Sequence, residues 1–188
     1  MRYEVYLALG SNLGNRTANI AAGLRLLRQV SRGMVASSIY ETQAEGFDIQ
    51  PPFLNAVCRL WTALDPFQLM AKSREIEAAT GRTRAFVSAP RTLDIDILVH
   101  GRVVLESPAI ILPHPRMAQR AFVLEPLAEI APELRHPLLK ETVCSLLVRL
   151  PRLRGVLERV LPAPWERAGI RSGDTGTMRV PAPSAGGG

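Results

Sequence analysis

Two aspartates stand two positions apart in an otherwise apolar segment, APRTLDIDILVHG at residues 89–101. In a β-strand alternate side chains lie on one face, so Asp94 and Asp96 share a face, with Cα atoms about 6.6 Å apart. The opposite face is predicted to be apolar and to consist of Leu93, Ile95, Ile97 and Val99. Two carboxylates at this spacing either repel each other in water or share cations. Because any half-solvated strand carries polar residues, the pair alone leaves both a metal or phosphate role and simple exposure open.

Basic residues flank this strand on both sides. They are Arg82, Arg84, Arg91, His114, Arg116 and Arg120. Arginine forks fit phosphate oxygens, and Mg²⁺ prefers one or two carboxylates together with phosphate oxygens and water, so this set suits a polyphosphate with bound Mg²⁺. The alternative is a surface ion-pair network in which the arginines only neutralise the aspartates. The segment GSNLGNR lacks the lysine and the spacing of a P-loop, so Gly10 and Gly14 are interpreted as turn glycines.

The elements that must position these residues follow from the hydrophobic periodicity of the chain. Strands are predicted within residues 1–10, 33–42, 53–64, 93–99 and 101–107. Helices are predicted within residues 10–30, 65–81, 113–134 and 142–150, the third of them interrupted by Pro126. The helix within 65–81 carries the clearest end signals, with Asp65 as its cap and Gly81 as its stop. Strands that alternate with helices and lie as hairpin-like neighbours indicate an α+β sandwich with one mixed or antiparallel sheet.

Composition limits the class of protein. At 188 residues and 47% hydrophobic, the chain can bury the core of one domain. No apolar run approaches 18 residues, and the N-terminal segment alternates like a strand rather than a signal peptide, so a cytoplasmic protein without a membrane span is expected. Cys58 and Cys144 lie in apolar runs without metal-ligand spacing, and both are predicted to be buried free thiols.

The net charge of +6 is unevenly distributed. Seven arginines and only three acidic residues follow position 148, so most of the basic excess lies near the C-terminus. From Pro162 onward the composition is rich in Pro, Gly, Arg and Ser and cannot bury enough apolar surface to fold. We therefore expect one domain at residues 1–161 and a flexible tail at residues 162–188.

Four ordered motifs together resemble a known enzyme family. They are ALGSNLGNR, PPFLNAV, GRTR followed by PRTLDIDIL, and PHPRM followed by RAFVLEPLAEIAPEL. At this order and spacing, about residues 3–150 resemble the 6-hydroxymethyl-7,8-dihydropterin pyrophosphokinases of folate biosynthesis. The resemblance implies a ferredoxin-like, three-layer α-β-α sandwich. It also implies Mg²⁺-dependent transfer of diphosphate from ATP to the hydroxymethyl group of the pterin, with release of AMP.

The same resemblance implies a role for each matching residue. Catalytic roles fall on Arg82, Arg91, Asp94 and Asp96. Two Mg²⁺ ions would be held by Asp94 and Asp96, with ATP as the co-substrate. The pterin would be bound by Thr42, Phe53, Asn55 and Phe122. The nucleotide would be bound by Glu77, Arg84, His114 and Arg120. Outside the family context, Phe53 and Phe122 could equally be core residues and Asn55 a satisfied strand polar group.

The segment AFVSAPR departs from the family pattern, because it lacks the Arg-Trp-Gly sequence that closes over the substrates. Our hypothesis is that closure is weakened or that Phe86 takes over part of the role of the tryptophan. Two other classes compete with the enzyme: a nucleic-acid-binding module, disfavoured by ten aromatic residues without an RNP-type pattern, and an inactive relative that only binds. We expect small-molecule substrates only, no nucleic acid, no membrane and a monomer.

Overall fold

The computed structural model describes residues 2–43, 51–81, 90–150 and 158–161. The strands are β1 (Tyr3–Ser11), β2 (Met34–Ala36), β3 (Ile39–Thr42), β4 (Phe53–Thr62), β5 (Asp94–His100), β6 (Leu105–Glu106), β7 (Ile111–Leu112) and β8 (Glu158–Leu161). The helices are α1 (Arg16–Arg28), α2 (Pro66–Ala79), α3 (Ala121–Ile130) and α4 (Val143–Arg149), with a 3-10 turn at Met117–Gln119. Six strands form one sheet in the order β5-β1-β4-β3-β8, with β2 also on β4, and β6 pairs with β7. Every pairing among these strands is antiparallel.

Helices cover both faces of the sheet. One apolar cluster joins α1 and α2 to one face, with Leu7 of β1 and Leu24 of α1 almost fully buried. A second cluster joins α3 and α4 to the other face through Tyr6 of β1 and Leu124 of α3. Neighbouring residues of β1 thus pack in opposite layers, as period-2 alternation requires. The α+β class and the three-layer arrangement are confirmed.

Strand β5 departs from the predicted alternation in its second half. Ile95 and Ile97 pack with α1 and α2 as expected, but Leu98 and Val99 both pack in the opposite cluster. The pairing of β1 with β5 shifts by one residue here, since Tyr6 pairs with Val99 and the next residue of β1 pairs with Ile97. A β-bulge inserts one unpaired residue and changes which face the following side chains take. The prediction that Val99 shares the face of Ile95 was therefore wrong.

The predicted strand at 33–42 is broken into β2 and β3. Between them, the Ser38 amide and hydroxyl donate to the carboxylate of Glu129 on α3, at 2.9 and 2.7 Å. The Tyr40 hydroxyl donates to the same carboxylate at 3.0 Å, and burial followed by this hydrogen bond raises the pKa of Tyr40 to about 12. The carboxylate from α3 thus satisfies one backbone amide at the break in the strand and two side-chain hydroxyls.

The helix signals are largely confirmed. Asp65 accepts hydrogen bonds from the backbone of Phe67 and Gln68 at the start of α2, and Gln68 completes a capping box. Pro126 lies inside α3 and does not interrupt it, contrary to the prediction. Leu124 and Leu127 on either side are fully buried, so packing of this face on the sheet offsets the one hydrogen bond that a proline cannot donate.

Three further expectations concern the ends and surface of the fold. Cys58 is buried as predicted, but Cys144 is exposed on α4 and the prediction for it was wrong.

Strand β8, which the periodicity did not predict, pairs with β3 near the end of the proposed domain. Residues 162–188 lie outside the described part of the chain. Within that part, no helix combines the length and apolar character needed to span a membrane.

Candidate active site

A cleft of about 660 Å³ opens beside the edge strand β5. Its walls come from β1, β3, β4, β5, α2, the turn between β6 and β7, and the segment 114–123 that leads into the start of α3. The site residues that the sequence predicted and that line it are Thr42, Phe53, Asn55, Glu77, Arg91, Asp94, Asp96, His114, Arg120 and Phe122. Two others, Arg82 and Arg84, and the altered closing segment with Phe86 lie outside the described residues. Five separate stretches of chain thus converge on one space.

Small residues of β1 form the floor between the two sides of the cleft. Asp94 pairs with Gly10 and Asp96 with Ala8, and Gly10 also pairs with Asn55 of β4 on its other side. A Cβ atom at Gly10 would lie 3.3 Å from the Asn55 Oδ1 atom. Gly10 is therefore a strand glycine that permits close approach, and its interpretation as a turn glycine was wrong, whereas Gly14 has φ +67° and does form a turn.

Cationic groups surround the two carboxylates. Arg91 Nη1 pairs with Asp94 Oδ2 at 2.5 Å, while His114 Nε2 and Arg120 Nη1 lie 3.8 and 3.9 Å from Asp96 Oδ2. Desolvation, followed by the charge of Asp94, raises the pKa of Asp96, and the nearby basic groups only oppose this rise. Desolvation likewise lowers the pKa of His114, against the attraction of Asp96. The pocket thus carries acidic and basic groups that have given up part of their hydration.

The backbone of Arg91 is held by Asn12 at the end of β1. The Asn12 amide donates to the Arg91 carbonyl at 3.1 Å, and the Arg91 amide donates to Asn12 Oδ1 at 2.8 Å. Asn12 is almost completely buried. This reciprocal pair crosses 79 positions of sequence, and residue types alone did not reveal it. It fixes the backbone position from which the Arg91 side chain extends toward Asp94.

The opposite side of the cleft carries a side-chain amide and two aromatic rings. Asn55 is buried and its Nδ2 donates to Thr42 Oγ1 at 2.8 Å, which leaves the amide oxygen for another partner. Phe53 and Phe122 are only partly buried, which favours the pocket over the core interpretation. The guanidinium carbons of Arg91 and Arg120 lie 5.9 and 5.3 Å from the ring centroids of Phe53 and Phe122 respectively. Each ring thus borders the charged side of the cleft.

Glu77 has a structural contact as well as a position on the cleft wall. It is buried on α2, and its Oε1 accepts from the amide of Ile95 at 2.8 Å, which satisfies an outward-facing donor of the edge strand. Ser73 and Arg74 line the same wall and were not predicted. They lie four and three positions before Glu77, so they share its face of the helix, and helical spacing from Glu77 would have found them.

The carboxylate pair fits a hard divalent cation. Asp94 and Asp96 offer oxygen ligands, and the mutual repulsion that helps to raise the pKa of Asp96 is what a cation would relieve. Within the described ranges, no group of three or more His, Cys, Asp or Glu residues could hold a metal ion. The remaining ligands would therefore come from water or from oxygen atoms of a bound phosphate.

Comparisons with known proteins agree with this geometry. Residues 6–132 match the family described as 7,8-dihydro-6-hydroxymethylpterin-pyrophosphokinase (HPPK). A relative from Bacillus subtilis, named 2-amino-4-hydroxy-6-hydroxymethyldihydropteridine pyrophosphokinase, is 45% identical over 132 residues, which cover 69% of this chain and 79% of the relative. A protein of the same name from Porphyromonas gingivalis is 44% identical over 138 residues, 71% of this chain and 93% of the relative.

Other matches are to longer proteins. The folic acid synthesis protein fol1 of Pneumocystis carinii is 39% identical over 142 residues, which cover 75% of this chain but 19% of that protein. A crystal structure of Plasmodium falciparum HPPK-DHPS wild type with STZ-DHP aligns with a TM-score of 0.61 at 15% identity, over 79% of this chain and 43% of that one. At this identity the structural match concerns the fold.

Proposed function

The chain belongs to the 7,8-dihydro-6-hydroxymethylpterin-pyrophosphokinase family, and we propose from this that it is an ATP-dependent diphosphokinase of folate biosynthesis. The reaction moves the β,γ-diphosphate of ATP to the hydroxymethyl oxygen of 6-hydroxymethyl-7,8-dihydropterin. The bond from the β-phosphorus to the oxygen that bridges it to the α-phosphorus breaks, AMP leaves, and the pterin hydroxyl loses its proton.

One observation carries the proposal. A single cleft holds a carboxylate pair with basic neighbours on one side and an amide with two aromatic rings on the other. The first side suits a polyphosphate with a cation, and the second suits a flat heterocycle with hydrogen-bonding edges. A transfer between two such substrates needs both binding surfaces in one cleft. Positioning of the substrates then supplies much of the rate acceleration.

On the phosphate side, Arg91, His114 and Arg120 would contact the ATP phosphates and neutralise charge that builds up on the oxygens during transfer. Arg91 is already fixed through its backbone, so its guanidinium needs only a side-chain movement to exchange Asp94 for a phosphate oxygen. Arg82 and Arg84 are proposed for the same side on the family motif alone. Glu77 would border the nucleotide from α2.

On the pterin side, Phe53 and Phe122 would contact the two faces of the ring system. Asn55 would read its edge, because a side-chain amide can donate and accept hydrogen bonds at once. Thr42 fixes the orientation of that amide through its bond to Nδ2. Rings and amide together would hold the hydroxymethyl group toward the charged side of the cleft.

Two Mg²⁺ ions are proposed as cofactors, with Asp94 and Asp96 as their protein ligands. Bound there, they would neutralise phosphate charge and help to align the transferred group. The protein's own contribution is to keep both carboxylates on one face of β5, with Asp96 held close to His114 and Arg120.

We also propose that residues 1–161 form the catalytic domain, with residues 162–188 as a flexible extension. The pairing of β8 with β3 supports a domain that reaches Leu161. We further propose that the protein acts as a monomer in the cytoplasm, on small-molecule substrates and without nucleic acid.

The test is an AMP-release assay with 6-hydroxymethyl-7,8-dihydropterin, ATP and Mg²⁺. We expect AMP and pterin diphosphate in equal amounts, and no AMP when the pterin or the metal is omitted. Asp96→Ala should release AMP at less than about a hundredth of the wild-type rate. A wild type that binds pterin and ATP but releases no AMP would overturn the proposal in favour of an inactive, ligand-binding relative.

A further inference from the structure

The first residue of α1 has no part in the proposed chemistry, yet it makes contacts beside the cleft. Arg16 is the first residue of α1, and its two terminal nitrogens reach different acceptors. Nη1 donates to the Pro52 carbonyl at 2.7 Å, and Nη2 lies 3.0 Å from Glu41 Oε2. The guanidinium therefore joins two stretches of chain, 36 positions away in the case of Pro52.

Both acceptors are direct neighbours of pocket residues. Glu41 precedes Thr42 at the end of β3, and Pro52 precedes Phe53 at the start of β4. Thr42 and Phe53 are themselves paired across the two strands. Arg16 thus links Glu41 and Pro52, the residues next to the last paired position of β3 and β4.

The start of α1 is well determined, and this directs the side chain of Arg16. Asn15 caps the helix by accepting from the Ala18 amide at 3.1 Å, and Gly14 takes the left-handed conformation that the turn requires. Arginine suits the position because its planar fork can hold two acceptors at fixed geometry, which a lysine ammonium on a flexible stem cannot do.

Arg16 and Glu41 are both partly exposed, with side-chain exposures of 28% and 34%. Ion pairs of this exposure add little to the free energy of unfolding. The consequence of the contact should therefore be geometric, in the separation and orientation of Thr42 and Phe53.

We propose that Arg16 is a positioning residue for the pterin, holding the Thr42 and Phe53 ends of β3 and β4 at the spacing that the heterocycle needs. This inference rests on the proposed function, because it assumes that Phe53 and the Asn55–Thr42 pair contact the pterin. Arg16 acts through its neighbours and does not itself line the cleft.

The test compares Arg16→Gln with Arg25→Gln, which changes an exposed arginine on the same helix that makes no hydrogen bond or ion pair with the described residues. In Arg16→Gln we expect the KM for pterin to rise about tenfold, with kcat and the KM for ATP changed less than about twofold. The melting temperature should stay within about 2 °C of the wild type. Arg25→Gln should match the wild type in every measurement.

Two further variants separate positioning from a general structural role. Arg16→Lys should recover only part of the lost pterin affinity, because one ammonium cannot hold both acceptors in the same geometry. Glu41→Gln should raise the pterin KM in the same direction, and adding it to Arg16→Gln should cost less than the two single effects combined.

Fluorescence titration with 6-hydroxymethylpterin, in the presence of Mg²⁺ and a non-hydrolysable ATP analogue, tests binding without turnover. A wild type that does not bind the pterin would remove the proposed function itself. A wild type that binds, together with an Arg16→Gln variant of unchanged affinity, would overturn the positioning role alone. A fall in kcat with unchanged pterin affinity would also overturn it.

Discussion

The amino-terminal half of β5 places Asp94 and Asp96 in the cleft, whereas the carboxyl-terminal half places Val99 and His100 in the interior. The bulge at Leu98 separates the two halves. Before the bulge, one face of the strand carries the carboxylates of Asp94 and Asp96 and faces the cleft. After it, both faces are packed. A single inserted residue therefore converts one strand from a site-bearing element to a core element within seven residues.

Burial acts on both halves and favours the uncharged form in each. At the cleft, desolvation and the neighbouring Asp94 raise the pKa of Asp96. At the other end, desolvation lowers the pKa of His100, whose Nε2 lies 3.0 Å from the Leu64 carbonyl and whose ring lies 4.6 Å from that of Tyr3. The difference lies in the neighbours. Three basic groups oppose the shift of Asp96, whereas backbone hydrogen bonds and the charge of Asp65 oppose that of His100.

The largest expected effect separates activity from stability at the cleft end. Asp96→Asn should lower kcat/KM for AMP release by about 10²–10³-fold, because a neutral amide cannot hold a divalent cation as a carboxylate does. Its free energy of unfolding, measured by urea denaturation, should stay close to that of the wild type, because the Asp96 side chain is 42% exposed and its ion pairs with His114 and Arg120 are long.

Glu106→Gln is the matched control, because Glu106 is an exposed carboxylate outside the cleft on β6. It should leave both quantities unchanged. An Asp96→Asn variant that keeps a tenth or more of the wild-type activity would show that this carboxylate is not a metal ligand.

The second effect is the reverse one, at the interior end of β5, where a substitution should lower stability and leave substrate binding unchanged. His100→Ala should reduce the free energy of unfolding by about 2–4 kcal/mol, because it removes a fully buried ring and leaves the Leu64 carbonyl without its partner. The KM for both substrates should not change in the folded protein. His100→Gln, which retains an amide donor, should lose less. Equal stability of His100→Ala and wild type in urea would contradict the assignment of this half to the core.

The smallest effect is on the pH dependence of stability. Between the lowered pKa of folded His100 and about 6.5, the unfolded chain binds more protons than the folded one, so the free energy of unfolding should fall as the pH falls. The raised pKa of Asp96 acts oppositely in the acid range, where the folded chain binds more protons. In urea titrations, His100→Gln should flatten the fall between pH 7 and 5. Asp96→Asn should remove the opposing contribution in the acid range just above the ordinary aspartate pKa of 3.8. A wild-type slope unchanged by both variants would show that neither shift is linked to folding.

Patterns confined to a few neighbouring residues predicted much of this molecule. Asp94 and Asp96 share a face because they are two positions apart in a strand, and α2 begins at Asp65 because its cap lies next to the backbone amides that it satisfies. The family motifs added pocket residues that no periodicity could select, including Asn55 and Phe122. All of the predicted site residues within the described part of the chain line one cleft.

Contacts between distant residues were not predictable in this way. The break after β2 depends on Glu129, 91 positions from Ser38, and the position of Arg91 depends on Asn12. The face taken by Val99 depends on a register shift against β1. Sequence by itself determined which elements form and which residue types share a face, because these follow from local backbone geometry. Tertiary structure decided register, bulges and the hydrogen bonds between loops, because these depend on how separate elements pack and no local pattern specifies that packing.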